Sequence, residues 1–334
     1  MTGAAALQRW WPWVPLLVLV LLPVGIRETF YLDLLMTTFM YAAITLGWDI
    51  MGGYAGYVSL GTVGFYGLGS YAGALLLLRF NIPVFVSAPF IGVLCSLVGA
   101  GLGWIALRTR AAAFVIVTLT FTSIVQLLAL NLKGLTNGSS GLYMPLLTLP
   151  NNLILLPFYY YMLALLVFAY FVSRAIRGSK FGLGLIAIRE EEEKAEGLGV
   201  DTSLYKILAF AISVFFACVA GALRAQYLNY VDPDIAFDLF ITLSPIVMAL
   251  VGGRGTLIGP LLGAFLVQPL SQYLVFLLPS SVAGQLHLVA LGVVLLLVVL
   301  FMPDGIVNAY RSARAGGSGW RGRRQTAPPA EAAP

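Results

Sequence analysis

The chain alternates long charge-free apolar runs with short clusters of charge. The runs are Trp10–Ile26, Leu34–Trp48, Ile50–Leu78, Phe80–Leu107, Ala111–Leu132, Gly134–Ser173, Ile207–Leu223, Leu239–Gly253 and Gly255–Pro303. A helix needs about 20 mostly apolar residues to cross the hydrocarbon core of a bilayer. The last run is long enough for two crossings, divided around Pro279-Ser280-Ser281, so the pattern predicts about ten. In lipid every backbone polar group must be satisfied within the protein, which favours helices for such crossings. The fold class that follows is an all-α, polytopic membrane protein.

Composition agrees. Of 334 residues 60% are hydrophobic and 10% charged, with a mean hydropathy of +0.93. A soluble domain carries about a quarter charged residues, so a water-facing enzyme surface is excluded. Arg9 before the first run fits a signal peptide, but no small-x-small cleavage site precedes Arg27, so a retained first helix is expected. With the N-terminus in the cytoplasm and ten crossings, only Arg27, Arg79, Lys133 and Arg224 of the 19 Lys and Arg fall outside. That bias is the one membrane orientation requires, and it places both termini in the cytoplasm. The net charge of +5 is thereby accounted for without nucleic acid. The expected organisation is a transmembrane domain over 1–310 and a disordered basic cytoplasmic tail over 311–334. Cys95 and Cys218 lie inside predicted spans and read as buried small hydrophobes.

One polar segment stands apart. Arg174 to Lys206 carries six cations (174, 177, 180, 189, 194, 206) and six acids (190–193, 196, 201) on the cytoplasmic side. Apolar residues recur within it at Phe181, Leu185, Ile188, Ala195 and Leu198, close to helical spacing, and Gly199 is a plausible stop. One or two short amphipathic helices are expected there.

The remaining polar groups are sparse. Eight glycines crowd residues 52–73, and those at 52, 53 and 56 would break a helix around Tyr54 and Tyr57. Broken backbone is tolerated in lipid only where it is buried or lines a cavity. Amides freed near Ser59 and Thr62 would then suit a zwitterionic solute. Candidate path residues are Tyr57, Ser59, Thr62, Gln126, Asn131 and Ser244; for the last three, interhelical hydrogen bonding is the alternative. Asp49 either pairs with Arg108 or Arg110 or meets water. His287, alone in a predicted span, reads as packing or interfacial. Gly252-Gly253-Arg254-Gly255 reads as a tight turn, since no G-x-x-x-x-G-K-[ST] phosphate loop occurs anywhere. No catalytic residue, metal site or cofactor of its own is expected. An ion-coupled carrier would want intramembrane charge, and a membrane transferase clustered acids for Mg²⁺; neither pattern is present.

The order of motifs carries a resemblance. Gly53-Tyr-Ala-Gly-Tyr-Val-Ser-Leu-Gly-Thr62 with Gly69-Ser-Tyr-Ala-Gly73, Leu107-Arg-Thr-Arg110 with Val117-Thr-Leu119, Leu135-Thr-Asn-Gly-Ser-Ser-Gly-Leu142, Phe181-Gly…Ala187-Ile-Arg-Glu190 with Ala195-Glu-Gly-Leu-Gly199, Val251-Gly-Gly-Arg-Gly-Thr-Leu-Ile-Gly-Pro260 and Phe301-Met-Pro-Asp-Gly305 resemble, in sequence order, the LivM branch of branched-chain amino acid ABC importer permeases. Glu193-Lys194-Ala195-x-x-x-Gly199 resembles the EAA-x-x-x-G signature of ABC permeases, with Lys194 in place of the first Ala. The resemblance implies an ABC importer permease fold in the bacterial or archaeal cytoplasmic (inner) membrane. It implies that 174–206 is a coupling loop in which Phe181, Arg189, Glu190, Glu193, Ala195, Glu196 and Gly199 meet an ATPase. Its implied partners are a second homologous permease, two ABC ATPase subunits that bind ATP and Mg, and an extracytoplasmic solute-binding protein. The implied cargo is a branched-chain or related amino acid; urea, a short amide or another small polar solute is the alternative. The family's His and Gln are replaced here by Thr62 and Tyr57.

Overall fold

The computed structural model describes residues 14–25, 28–107, 111–147, 154–277, 292, 305–307 and 309. Among these the order is α1 (Val14–Gly25), α2 (Thr29–Asp49), a π-helical turn (Ile50–Tyr54), α3 (Thr62–Phe80), α4 (Val84–Ala106), α5 (Ala111–Asn131) and a one-turn α6 (Lys133–Thr136). There follow a 3₁₀ turn (Gly138–Ser140), β1 (Leu142–Tyr143), α7 (Leu155–Arg177), α8 (Lys180–Glu190), α9 (Glu192–Gly197), α10 (Thr202–Leu228), β2 (Tyr230–Val231), α11 (Pro233–Ala236), α12 (Phe240–Gly252) and α13 (Gly259–Leu277).

Seven stretches are long and apolar enough to cross a membrane: Thr29–Tyr54, Thr62–Phe80, Val84–Ala106, Ala112–Asn131, Leu155–Arg177, Thr202–Leu228 and Pro233–Gly252. They coincide with the second to eighth expected spans. The first is represented by α1 and the ninth by α13; the tenth, His287 and the tail from residue 311 lie outside the described residues. The break expected from Gly52, Gly53 and Gly56 divides the charge-free run from Ile50 to Leu78: Ile50–Tyr54 widens the end of α2, residues 55–61 leave the helix, and α3 starts at Thr62. The glycines responsible include Gly56, at φ +79°, where a side chain would also strike Arg189.

Two helices form the centre. α10 packs along α4, α3 and α2, while α2 packs along α7, α13 and α12. The hydrophobic effect gains nothing between helices in lipid, so close backbone approach has to hold them, and small residues permit it. A methyl group at Gly69 would collide with the carbonyl of Cys218, and one at Gly221 with the carbonyl of Tyr66, so α3 and α10 touch backbone to backbone. Gly252 meets the carbonyl of Gly259 and Gly263 that of Met248, which closes the antiparallel α12–α13 hairpin. Phe39, Phe65, Phe114, Tyr159, Phe210 and Phe216 fill the interior. Large apolar side chains such as Phe90, Leu97 and Ile116 remain on the outside, where lipid receives them.

The cysteines depart from expectation. Gly92 and Gly99 bring α4 against α10, and the structure joins Cys95 to Cys218 in a disulfide, with Cα atoms 6.6 Å apart. Two thiols 123 positions apart in sequence gave no sign of this contact.

The two ends of the bundle differ. At the far end, α3 and α10 stop at Asn81 and Asn229 in the left-handed conformation, and β1 pairs antiparallel with β2. The other end carries α8 and α9, the pair of short helices expected between the sixth and seventh spans. Ser179 caps α8 by accepting from the Gly182 amide, and Asp201 caps α10 by accepting from Leu204. Gly199, at φ +86°, ends the α9 turn.

Gly221→Val forces α3 and α10 apart. Overpacking of this kind costs about 1–3 kcal/mol, so the variant melts below wild type in detergent. Equal melting temperatures would show that the two backbones do not touch.

Candidate functional site

The charged segment is anchored into the membrane bundle at two points. The first is built on α9 and α10. Lys206, in the first turns of α10, is buried, and its ammonium lies 2.5 Å from Glu192 Oε1 on α9. It also donates to the carbonyl of Leu107 at 3.2 Å and stands 4.9 Å above the Tyr57 ring. The Tyr57 hydroxyl donates to the other Glu192 oxygen. A buried ammonium is tolerated only with such partners, so α9 is tied to the irregular segment that follows α2. Burial alone would raise the pKa of Glu192, but hydrogen bonds from Lys206 and Tyr57 and the Lys206 charge outweigh it and hold the carboxyl below its ordinary value. Burial, with Glu192 adding to it, pushes the Tyr57 phenol up, so Tyr57 remains a donor.

The second anchor is Arg189, at the end of α8. Its Nη1 donates to the carbonyl of Gly53 at 2.9 Å, and its side chain lies over Gly56. Beside it, Asp49 Oδ1 accepts the amide of Gly255 at 2.8 Å. Asp49 is fully buried and so is kept from bulk water, and its Oδ2 has no partner among the described residues; Arg108 and Arg110, its expected partners, lie outside them. Arg189, Arg177 and Arg254 supply positive charge around it. The Gly252–Gly255 turn is a structural turn as expected, closed by Thr256 on the Gly253 carbonyl at 2.7 Å, and Gly305 packs on Gly253. Four motifs separated by up to some 250 positions thus converge on one spot: Gly53, Arg189, Gly255 and Gly305.

The other expected coupling residues divide by exposure. Ala195, Leu185 and Ile188 turn inward, and Phe181 packs against Tyr205 with the rings tilted and their centroids 5.1 Å apart. Glu190, Glu193, Glu196 and Gly199 are exposed, and two apolar residues project among them, Leu183 and Leu198, the latter 84% exposed.

The expected path residues do not form one group. Tyr57 belongs to the α9 anchor. Ser59 and Thr62 are buried in the break, where the Trp48 indole donates to the Ser59 carbonyl at 3.0 Å. Two amides, one in the break and one at the start of α3, are capped from other helices: Leu60 donates to Thr118 Oγ1 at 3.2 Å and Val63 to Thr242 Oγ1 at 2.8 Å. Thr118 on α5 and Thr242 on α12 are residues that sequence reasoning missed; nothing in their spacing marks them. Ser244 is buried two residues beyond Thr242. Gln126 is half-buried, and Asn131 is exposed and donates to the Leu127 carbonyl of its own helix at 2.8 Å.

A family model described as branched-chain amino acid transport system / permease component matches residues 30–299. The chain belongs to that family. Its relatives include the high-affinity branched-chain amino acid transport system permease protein LivM of Escherichia coli, 26% identical over 306 residues, covering 84% of this chain and 70% of that one. The LivH permease of the corresponding system in Salmonella typhimurium is 25% identical over 295 residues, 80% of this chain and 91% of its own. The ribose import permease RbsC of Haemophilus influenzae is 22% identical, covering 68% of this chain and 71% of its own. No solved structure matches. With seven apolar spans among its described residues, this permease is a multi-pass protein of the inner membrane.

Glu192→Ala leaves the Lys206 ammonium short of a partner and frees α9. With Glu192 about one-third exposed, the loss is about 1 kcal/mol or slightly more. Amide exchange of 192–198 should therefore quicken roughly five- to ten-fold. Because the folded-state pKa of Glu192 is depressed, wild-type protection stays complete above the ordinary carboxylate range and falls as acid takes the pH through the lowered value. Exchange indifferent to both changes would show α9 held by something else.

Proposed function

We propose that this chain is the membrane-spanning permease subunit of an ATP-driven importer for branched-chain or related amino acids. It forms the translocation path with a second, similar permease. The end bearing α8 and α9 faces the cytoplasm, where two ATPases that bind ATP and Mg²⁺ grip it, and an extracytoplasmic binding protein delivers the solute to the far end. No covalent chemistry falls to this chain; the partners hydrolyse ATP.

The observation that carries this reading is the construction of the α8–α9 unit. Its outer surface offers Leu183 and Leu198 among Glu190, Glu193, Glu196 and Lys194, an apolar tip in a charged rim suited to a groove on a partner. Its inner surface is fastened through Glu192 and Arg189 to the break after α2. Force applied at the tip therefore reaches the one place where a membrane helix is interrupted beside Ser59 and Thr62. ATP binding would close the ATPases and shift the α8–α9 unit, and the break would move with it, opening the path on one side at a time.

Leu198→Asp should abolish co-purification of the ATPase and solute-stimulated ATP hydrolysis, while the permease still accumulates in the membrane. Retained ATPase association would remove the coupling role. Separately, Ser59→Ala with Thr62→Ala should lower uptake several-fold with the ATPases still assembled. Proteoliposomes offered leucine and urea separate the amino-acid reading from its small-amide alternative.

A further inference from the structure

At the far end, three helices bring together the polar groups that the function above leaves unused. Asp33 sits in the first turns of α2, Arg224 and Tyr227 near the end of α10, and Gln272 on α13. Asp33 Oδ1 accepts from the Tyr227 hydroxyl at 2.7 Å, and Oδ2 accepts from the Gln272 amide at 3.0 Å. The Arg224 guanidinium stands 3.8 Å from Asp33 and 5.0 Å from the Tyr227 ring centre.

The cluster is incompletely satisfied. Arg224 Nη1 and Gln272 Oε1 are both buried and make no hydrogen bond. Thr37 lies one turn beyond Asp33 on the same face of α2, is 4% exposed, and its hydroxyl also has no partner. On this same helix Thr38 and Thr45 do what a threonine in an apolar helix normally does, donating to the carbonyls of Leu34 and Tyr41. Polar residues recur every fourth position along α2, at 33, 37, 41, 45 and 49. At the near end Asp49 Oδ1 takes the Gly255 amide and its Oδ2 has no partner; at the far end Thr37 lies one turn from the partly exposed Asp33. Unsatisfied buried polar atoms are rare and each demands an explanation, and charge inside a membrane span is expensive unless it is used. The Asp33 and Arg224 side chains remain 25% and 22% exposed.

We propose that Asp33, Thr37, Arg224 and Gln272 form the site that receives the zwitterionic head of the amino acid as it leaves the binding protein. Arg224 Nη1, which makes no hydrogen bond, and the Thr37 hydroxyl donate to the α-carboxylate. The Asp33 carboxylate and the free Gln272 carbonyl accept from the α-ammonium. Two charges of opposite sign a few ångströms apart match the two ends of an α-amino acid and match no neutral solute as well. The inference rests on the import reading above and names the chemistry by which this subunit holds the cargo.

The test uses the assembled transporter, with both permeases, ATPases and binding protein, in proteoliposomes supplied with leucine. Asp33→Asn and Arg224→Gln should each reduce the uptake rate at least about ten-fold, with the complex recovered at wild-type yield. The exchanged pair, Asp33→Arg with Arg224→Asp, keeps an ion pair but reverses its polarity, and uptake should stay low. Restoration of uptake by the exchanged pair would show a purely structural ion pair and overturn the site, as would wild-type rates in both single variants. Absence of leucine uptake by the wild-type complex would overturn the import reading and the site together.

Discussion

The bond network around the Lys206 ammonium sets the behaviour of the whole end of the bundle that carries α8 and α9. A cation drawn into the first turns of a membrane helix cannot remain there unpaired, and the groups that satisfy it come from three separate places: Glu192 on α9, the Tyr57 ring and hydroxyl, and the Leu107 carbonyl. Because the alternative is a bare buried charge, those three places are held together. Arg189 on the Gly53 carbonyl and Asp49 on the Gly255 amide extend the same logic a few ångströms further. The charge in a chain so apolar is thus spent where a mobile surface element must be fixed to the membrane body.

This arrangement gives the fold a division of labour. α2 and α10 run through the centre and pack through glycines and small side chains at backbone contact, a geometry that resists bending because it has two surfaces and no slack. The break at residues 55–61 is the exception: the Leu60 amide is capped by Thr118 from α5, and just beyond it the Val63 amide, in the first turn of α3, is capped by Thr242 from α12. A segment so held can exchange partners without exposing backbone to lipid, which a continuous helix cannot do.

Much of this was legible in the chain. The charge-free runs located the seven interior spans, the glycines after Trp48 located the break, and helical spacing with Gly199 located the two short helices. The limits are physical. Periodicity speaks of one segment at a time, and it assigned the run from Ile50 to Leu78 to one span because nothing in hydropathy distinguishes a π turn and a loop from a helix. Contacts between segments are invisible to it: Asp33 meets Tyr227 and Gln272 across 194 and 239 positions, and Cys95 meets Cys218 across 123. Lys206 looked like the last charge of a loop and is instead the buried pivot to which that loop is tied. Tyr57, expected along the path, is drawn by the same pivot to α9.

The central claim is that α9 and the break after α2 move as one body. Spin labels at Val58 and Glu196 of the assembled transporter measure it directly, with a reference label at exposed Thr120 on α5. On binding a non-hydrolysable nucleotide, the 58–196 distance should hold constant while both distances to position 120 change. A 58–196 distance that lengthens while 58–120 stays fixed would mean that α9 swings free of the break, and the coupling described here would be wrong.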